Sequence, residues 1–163
     1  MIWSEPSDDN RYLEQHVRQL LGSFAHWVGR SLIDPDLSAV EQARRLYHAP
    51  FVVLSHNSAA DPILNYANQL GLTLFELTWS ELTNLPSRQT AEPVHQAERA
   101  RLLNTVSTQG YIDDYRGVRI AKSWRRFIIE KAIVWNLIDD GGAISGQAAT
   151  FSAWRFLDSP SPL

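Results

Sequence analysis

Arg126-Phe127-Ile128-Ile129-Glu130-Lys131-Ala132-Ile133-Val134-Trp135-Asn136-Leu137-Ile138 reads as the strongest β-strand of the chain, and Asp139-Asp140-Gly141-Gly142 closes it with turn chemistry. Residues 144–156 then read as the returning strand. The first arm is apolar on both alternations. Phe127, Ile129, Ile133, Trp135 and Leu137 fall on one, and Ile128, Ala132, Val134 and Ile138 on the other. A strand of this kind wants cover on both faces.

Working outward, residues 111–121 read as a strand joined to 126–138 through a turn near Lys122 to Trp124. Far upstream, Phe51-Val52-Val53-Leu54 and Ile63-Leu64-Asn65-Tyr66 read as two short strands around the turn-forming segment 57–62. Between these groups lie helices. Asn68 caps one carrying Leu70, Leu74 and Phe75; Thr78 and Glu81 form a capping box before Leu82 and Leu85; a longer helix with Leu102, Leu103 and Val106 follows Pro93 and ends at Gly110. At the start, Leu13, Val17, Leu20, Leu21, Phe24, Trp27 and Val28 recur in steps of three and four, which predicts an amphipathic helix over residues 12–28. Ser38 and Glu41 open a short helix ending before Pro50. Two strand groups around a helical insert argue for an α+β domain with an antiparallel sheet. The helix 12–28 is expected to cover the sheet's second face, from its own subunit or a symmetry mate.

The chain has 163 residues and a formal charge of −3, which suits one domain and disfavours a globally basic nucleic-acid binder. It has no cysteine, so disulfides, thiolate zinc sites, iron–sulfur clusters and cysteine nucleophiles are excluded. No apolar run approaches the ~20 residues a membrane span needs. The first ten residues carry Glu5, Asp8 and Asp9 without a basic-then-apolar leader, so a cytoplasmic protein is expected. The expected division is a frayed start over 1–11, a helical extension over 12–50, a core over 51–157 and a tail over 158–163. Enzyme signals are poor. The five histidines show no metal-pair spacing, Asp113 and Asp114 are adjacent and would point to opposite faces of a strand, and no nucleophile elbow or phosphate loop occurs.

Several blocks carry a family resemblance. They are Leu46-Tyr47-His48-Ala49-Pro50-Phe51-Val52-Val53-Leu54-Ser55-His56, Asp61-Pro62-Ile63-Leu64-Asn65-Tyr66-Ala67-Asn68, Leu74-Phe75-Glu76-Leu77-Thr78-Trp79 and Leu85-Pro86-Ser87-Arg88. They continue as Gly110-Tyr111-Ile112-Asp113-Asp114-Tyr115-Arg116-Gly117-Val118-Arg119-Ile120, Arg125-Arg126-Phe127, Val134-Trp135-Asn136-Leu137 and Gly146-Gln147-Ala148-Ala149-Thr150-Phe151. From about residue 12 to 156 the chain resembles the MEKHLA family of PAS-like domains, as a stand-alone member. The six-letter string that names the family is missing. Trp124 stands where stand-alone members usually have glycine. Plant members end a homeodomain–leucine-zipper regulator, and neither DNA-binding part is present here, so no direct nucleic-acid or membrane contact is expected.

The resemblance implies a PAS-like five-stranded antiparallel sheet with short helices on one face. It implies a sensory or regulatory module that binds a small apolar or aromatic ligand beneath those helices and signals through a protein partner or a homodimer. The alternative is an interaction or dimerisation module with a solid core. The expected ligand-binding residues are Phe75, Trp79, Leu103, Tyr115, Arg126, Trp135 and Gln147. Gly146, Ala148 and Ala149 leave volume above the last strand, which a ligand fills or which Trp79 and Trp135 fill themselves. Asn65, Ser87, Arg88, Asp114, Arg119 and Asn136 are further polar candidates. Asp114 could pair with Arg119 or Arg126, either bracing the sheet or helping to bind an acidic ligand. Residues 116–131 hold six basic side chains and one acid, a solvated face or a dock for an acidic partner. The cofactor is unknown. Cysteinyl-flavin and thioester chromophores are excluded, haem on His95 is disfavoured, and non-covalent flavin stays open.

Overall fold

The computed structural model describes residues 3–157, with the side chains at 93–95 outside the described set, and six strands and five α-helices organise these described residues. In chain order they are α1 (Glu14–Val28), α2 (Ala39–Tyr47), β1 (Val52–Asn57), β2 (Leu64–Ala67), α3 (Gln69–Phe75), α4 (Trp79–Leu82), α5 (Pro93–Gln109), β3 (Tyr111–Ile120), β4 (Arg126–Ile138), β5 (Ile144–Phe151) and β6 (Ala153–Phe156). Short 3₁₀ segments, the kinked Asp8–Leu13 and the single-turn Ser87–Thr90, precede α1 and α5. The sheet runs β2-β1-β5-β4-β3 and is antiparallel throughout. No described helix is long and apolar enough to cross a membrane.

The expected last strand is interrupted at Ser152. β5 pairs with the second half of β4 and β6 with the first half, from Phe127↔Phe156 to Glu130↔Ala153. The cause lies opposite, where Lys131 adopts φ 55, in the left-handed region. The extra residue there flips the alternation of β4. Before it, Phe127 and Ile129 face α3, with the Phe127 and Phe75 rings edge-on at 5.2 Å. After it, Val134 faces α5 while Trp135 and Leu137 turn to the opposite side. The simple alternation that grouped Phe127 with Trp135 is therefore wrong past Lys131. A second bulge at Asp114, φ 53, restores the β3–β4 register.

α1 covers the second face from within the same chain. Trp135 Nε1 donates to the Leu20 carbonyl at 3.2 Å, and Trp27 Nε1 donates to the Asn136 carbonyl at 3.0 Å. The Ile138 amide donates to Ser23 Oγ at 2.8 Å. The helix starts at Glu14 rather than Tyr12, because Arg11, Tyr12 and Leu13 hold φ of 55–57. Nor is the described part of the start frayed. Tyr47 Oη donates to Glu5 at 2.6 Å and Trp79 Nε1 to the Trp3 carbonyl at 2.6 Å. The tail 158–163 lies outside the described residues. Asn68 ties the layers together. Its Oδ1 accepts from Val53 and Gly71 amides at 3.1 Å each, and its Nδ2 donates to Leu46 and Phe51 carbonyls at 3.0 and 2.7 Å.

Trp124, at the glycine position of the β3–β4 turn, has φ 71 and is 75% exposed. That is the left-handed backbone for which glycine is suited.

Beneath α1, the Ser55 hydroxyl donates to Asn65 Oδ1 at 2.6 Å, which leaves His16 Nε2, 3.0 Å from Ser55 Oγ, to act as the donor. Trp3 and Tyr66 flank the imidazole. Burial pushes the His16 pKa down to about 4 from 6.5. The unfolded chain therefore takes up this proton first, and stability that is full above pH 6.5 is lost as pH falls toward 4. His56, shifted down by burial, acts in the same direction. At pH 5 the His16 loss comes to about 2 kcal/mol. Urea unfolding at pH 7.5 and pH 5 measures it, and a pH-independent midpoint would contradict the neutral buried imidazole.

Candidate functional site

On α5 the residues Leu102, Leu103 and Val106 face the sheet at helical spacing. The same stripe continued one turn back reaches Arg99, which is 7% exposed. From the sheet, β3 contributes Tyr115 and Arg119, β1 contributes Leu54 and His56, and β5 contributes Gln147, Ala149 and Phe151. Ser87 and Thr90 close one end. Together they surround a cavity of about 50 Å³ between α5 and the sheet.

Its chemistry is cationic and partly unsatisfied. Arg99 donates to Ser87 Oγ, and burial, followed by the nearby Arg119, pushes its pKa down to about 10. Arg119, 8% exposed, donates to the Val118 carbonyl at 2.8 Å and to the Tyr115 hydroxyl at 3.4 Å, and lies over the Tyr115 ring at 5.6 Å. Among the described residues neither guanidinium forms a salt bridge. His56 Nδ1 donates to the Asn57 carbonyl at 2.8 Å, so Nε2 is a bare acceptor, buried and without a partner. Gln147 Nε2 lies within 3.0–3.2 Å of Asn136 Oδ1, Ser107 Oγ and the Leu103 carbonyl, while its Oε1 is buried and unpartnered. Buried polar atoms are normally paired, so two orphaned acceptors beside two unpaired cations mark this cavity.

Tyr115 is placed by a glycine. Its ring lies across Gly117, where an added Cβ would stand 2.4 Å from the phenol oxygen. The hydroxyl donates to the Glu98 carboxylate at 2.8 Å. Gly117→Ala therefore displaces the ring and costs about 1–3 kcal/mol by overpacking. Denaturant titration checks the loss. A neutral result would mean that Tyr115 moves aside at no cost.

Four of the expected residues, Phe75, Leu103, Tyr115 and Gln147, border the cavity. Three do not. Trp135 faces α1, on the far side of the sheet, because of the Lys131 bulge. Trp79 packs against Tyr66 in the α1-side core, since α4 sits beside β2 rather than over the sheet centre. Arg126, at the start of β4, reaches Glu92 at 3.8 Å. Asp114 is exposed at its bulge and pairs with neither arginine. Gly146 serves backbone approach instead of ligand volume, since a Cβ there would meet the His56 carbonyl oxygen at 2.3 Å. Arg99 and His56 were missed. The heptad step from Arg99 to Val106 was the available signal for the first.

A larger groove of about 730 Å³ runs along the outer side of α1, lined by Arg18, Gln19, Gly22 and His26. Among the described residues no buried polar atom of its lining lacks a partner, so it is without the convergence found under α5. Among the described residues no cluster of His, Asp and Glu is placed to hold a metal, and the His95 side chain lies outside them.

The model of the MEKHLA domain matches residues 14–156. The homeobox-leucine zipper protein HOX29 of Oryza sativa subsp. indica is 26% identical over 144 residues, covering 86% of this chain and 17% of that protein. ATHB-9 of Arabidopsis thaliana is 26% identical over 146 residues with the same coverage, 86% and 17%. The chain thus spans 17% of the length of these curated relatives. Among solved structures, a PAS domain from Colwellia psychrerythraea superposes with a TM-score of 0.60 at 13% identity, covering 72% of this chain and 94% of that one. An RNA-binding light-oxygen-voltage receptor superposes at 0.59 and 16% identity, covering 74% and 34%. These likenesses show the PAS-type α+β fold.

Proposed function

The chain belongs to the MEKHLA domain family, and from that premise we propose that it is a sensory or regulatory module whose cavity beneath α5 binds a small molecule. One observation carries the reading. Arg99, Arg119, His56 and Gln147 come from α5, β3, β1 and β5, and all present unsatisfied charge or hydrogen-bonding capacity at one cavity. A ligand that satisfies them ties the helix to three strands at once. Its occupancy is then felt at α5 and at the β3–β4 hairpin, the route by which a partner chain or a second copy would sense it.

The cavity narrows the ligand. Sites for drug-sized molecules usually measure about 300–1,000 Å³, against about 50 Å³ here. An aromatic ligand or a flavin would have to displace Phe75 or Leu102, so a smaller, polar molecule is the better fit. The small volume also favours a second reading, an interaction module, for which the 75% exposed Trp124 at the hairpin tip is the natural contact.

A crystal structure of the protein purified from cells in carboxylate-free buffer separates the two. Non-water density against Arg99 and His56 supports the sensor. A cavity holding only water, with a dimer or partner seated on Trp124, overturns it in favour of the interaction module.

A further inference from the structure

We infer that the cavity beneath α5 is a site for a small α-hydroxycarboxylate, of the size of glycolate or lactate, with Arg99 and Arg119 holding the carboxylate and His56 Nε2 accepting the hydroxyl proton beside Gln147. The inference rests on the ligand-binding reading and names the chemistry of its ligand.

The charge is the first argument. Two guanidiniums, 7% and 8% exposed, line one cavity and neither meets a described carboxylate within salt-bridge distance. Buried cations are ordinarily paired, and arginine matches the planar fork of a carboxylate. Tyr115 already spends its proton on Glu98, so it does not compete as a donor to the anion.

The second argument separates a hydroxy acid from a plain one. His56 Nε2 and Gln147 Oε1 are acceptors, fixed as such by the bonds their other atoms make. A simple carboxylate has no proton for either. A hydroxyl next to the carboxylate supplies one, and its position two bonds away suits a cavity only a few atoms across.

Size is the third. One water needs about 10–15 Å³ of such space, so about 50 Å³ holds on the order of four waters or a solute of about five or six non-hydrogen atoms. The walls between the polar groups are Leu103, Ala149 and Phe151, apolar surface for a short carbon skeleton.

The test titrates the ¹⁵N-labelled full chain, in a buffer without carboxylate or phosphate, with glycolate, L-lactate, acetate and inorganic phosphate. The expected result is saturable shifts of the His56, Arg99 and Gln147 amides with glycolate or lactate. Their affinity should exceed that of acetate at least tenfold. Arg99→Met should weaken binding more than tenfold with an unchanged spectrum elsewhere, and His56→Phe should erase the advantage over acetate while retaining acetate binding. Phosphate binding tighter than either hydroxy acid overturns the proposal in favour of an inorganic oxyanion. No saturable shift with any of the four also overturns it. Cavity density in the crystal structure would in that case still uphold a ligand of another class, so the two failures are distinguishable.

Discussion

Trp135→Ala lowers the unfolding free energy by about 3–5 kcal/mol, a large share of the ~5–15 kcal/mol that holds a domain of this kind together. The ring is fully buried, stands edge-on to Phe24 at 5.0 Å and donates through Nε1 to the Leu20 carbonyl. Its loss opens a cavity under the middle of α1 and removes the indole's bond to the Leu20 carbonyl. Trp135→Phe keeps most of the contact and forfeits the hydrogen bond, a smaller loss of about 1–2 kcal/mol. Trp124→Ala is the control. That indole is 75% exposed, and its removal changes stability by no more than about 0.5 kcal/mol. Urea midpoints with unchanged slopes give all three numbers. Equal losses at Trp135 and Trp124 would refute the assignment of α1 to the integral core.

The same tryptophan shows where sequence reading stops. Element order, the capping box at Thr78, the N-caps at Ser38 and Asn68 and the stop at Gly110 are local chemistry, and the structure realises each of them, although at Ser38 the box is half made because Glu41 turns to Arg44 and Arg45. The need for a second cover on β4 was equally legible, because apolar residues on both alternations have no solvated face to offer. Which residues faced which cover was not. One left-handed residue, Lys131, inverts the parity of the strand, and a charged lysine in the middle of an apolar run gives no warning of it. The α5 cavity was half legible for a related reason. Apolar periodicity finds Leu102, Leu103 and Val106, yet it passes over a charged residue on the same stripe. Arg99 is buried because of its place on the helix and against the usual preference of its side chain. Lys131 and Arg99 both depart from local preference, the first by setting which β4 side chains face α5 and the second by bringing a charge into that space.

Arg99→Met raises stability by about 1–4 kcal/mol in ligand-free buffer. The guanidinium has given up water for one hydroxyl, Ser87 Oγ, and burial has pulled its pKa down to about 10, the mark of a charge held where the fold disfavours it. Methionine fills similar volume, removes the charge and sacrifices one hydrogen bond worth about 1 kcal/mol, so the balance favours the variant. A residue retained for the fold alone would behave in the opposite way, and its replacement would destabilise. The prediction therefore separates the two roles by the sign of one measurement, the shift in urea midpoint. A second measurement reinforces it. Glycolate at a hundred times its wild-type dissociation constant stabilises the wild-type protein by about 2.7 kcal/mol through mass action, and stabilises Arg99→Met by at least about 1.3 kcal/mol less. A destabilised variant would assign Arg99 to bracing α5 against Ser87. A stabilised variant that responds to glycolate as fully as the wild type would move the anion's contact to Arg119 alone. A protein that is weaker with the arginine than without it, and recovers that stability when a small anion enters, is one whose α5 registers the anion's concentration.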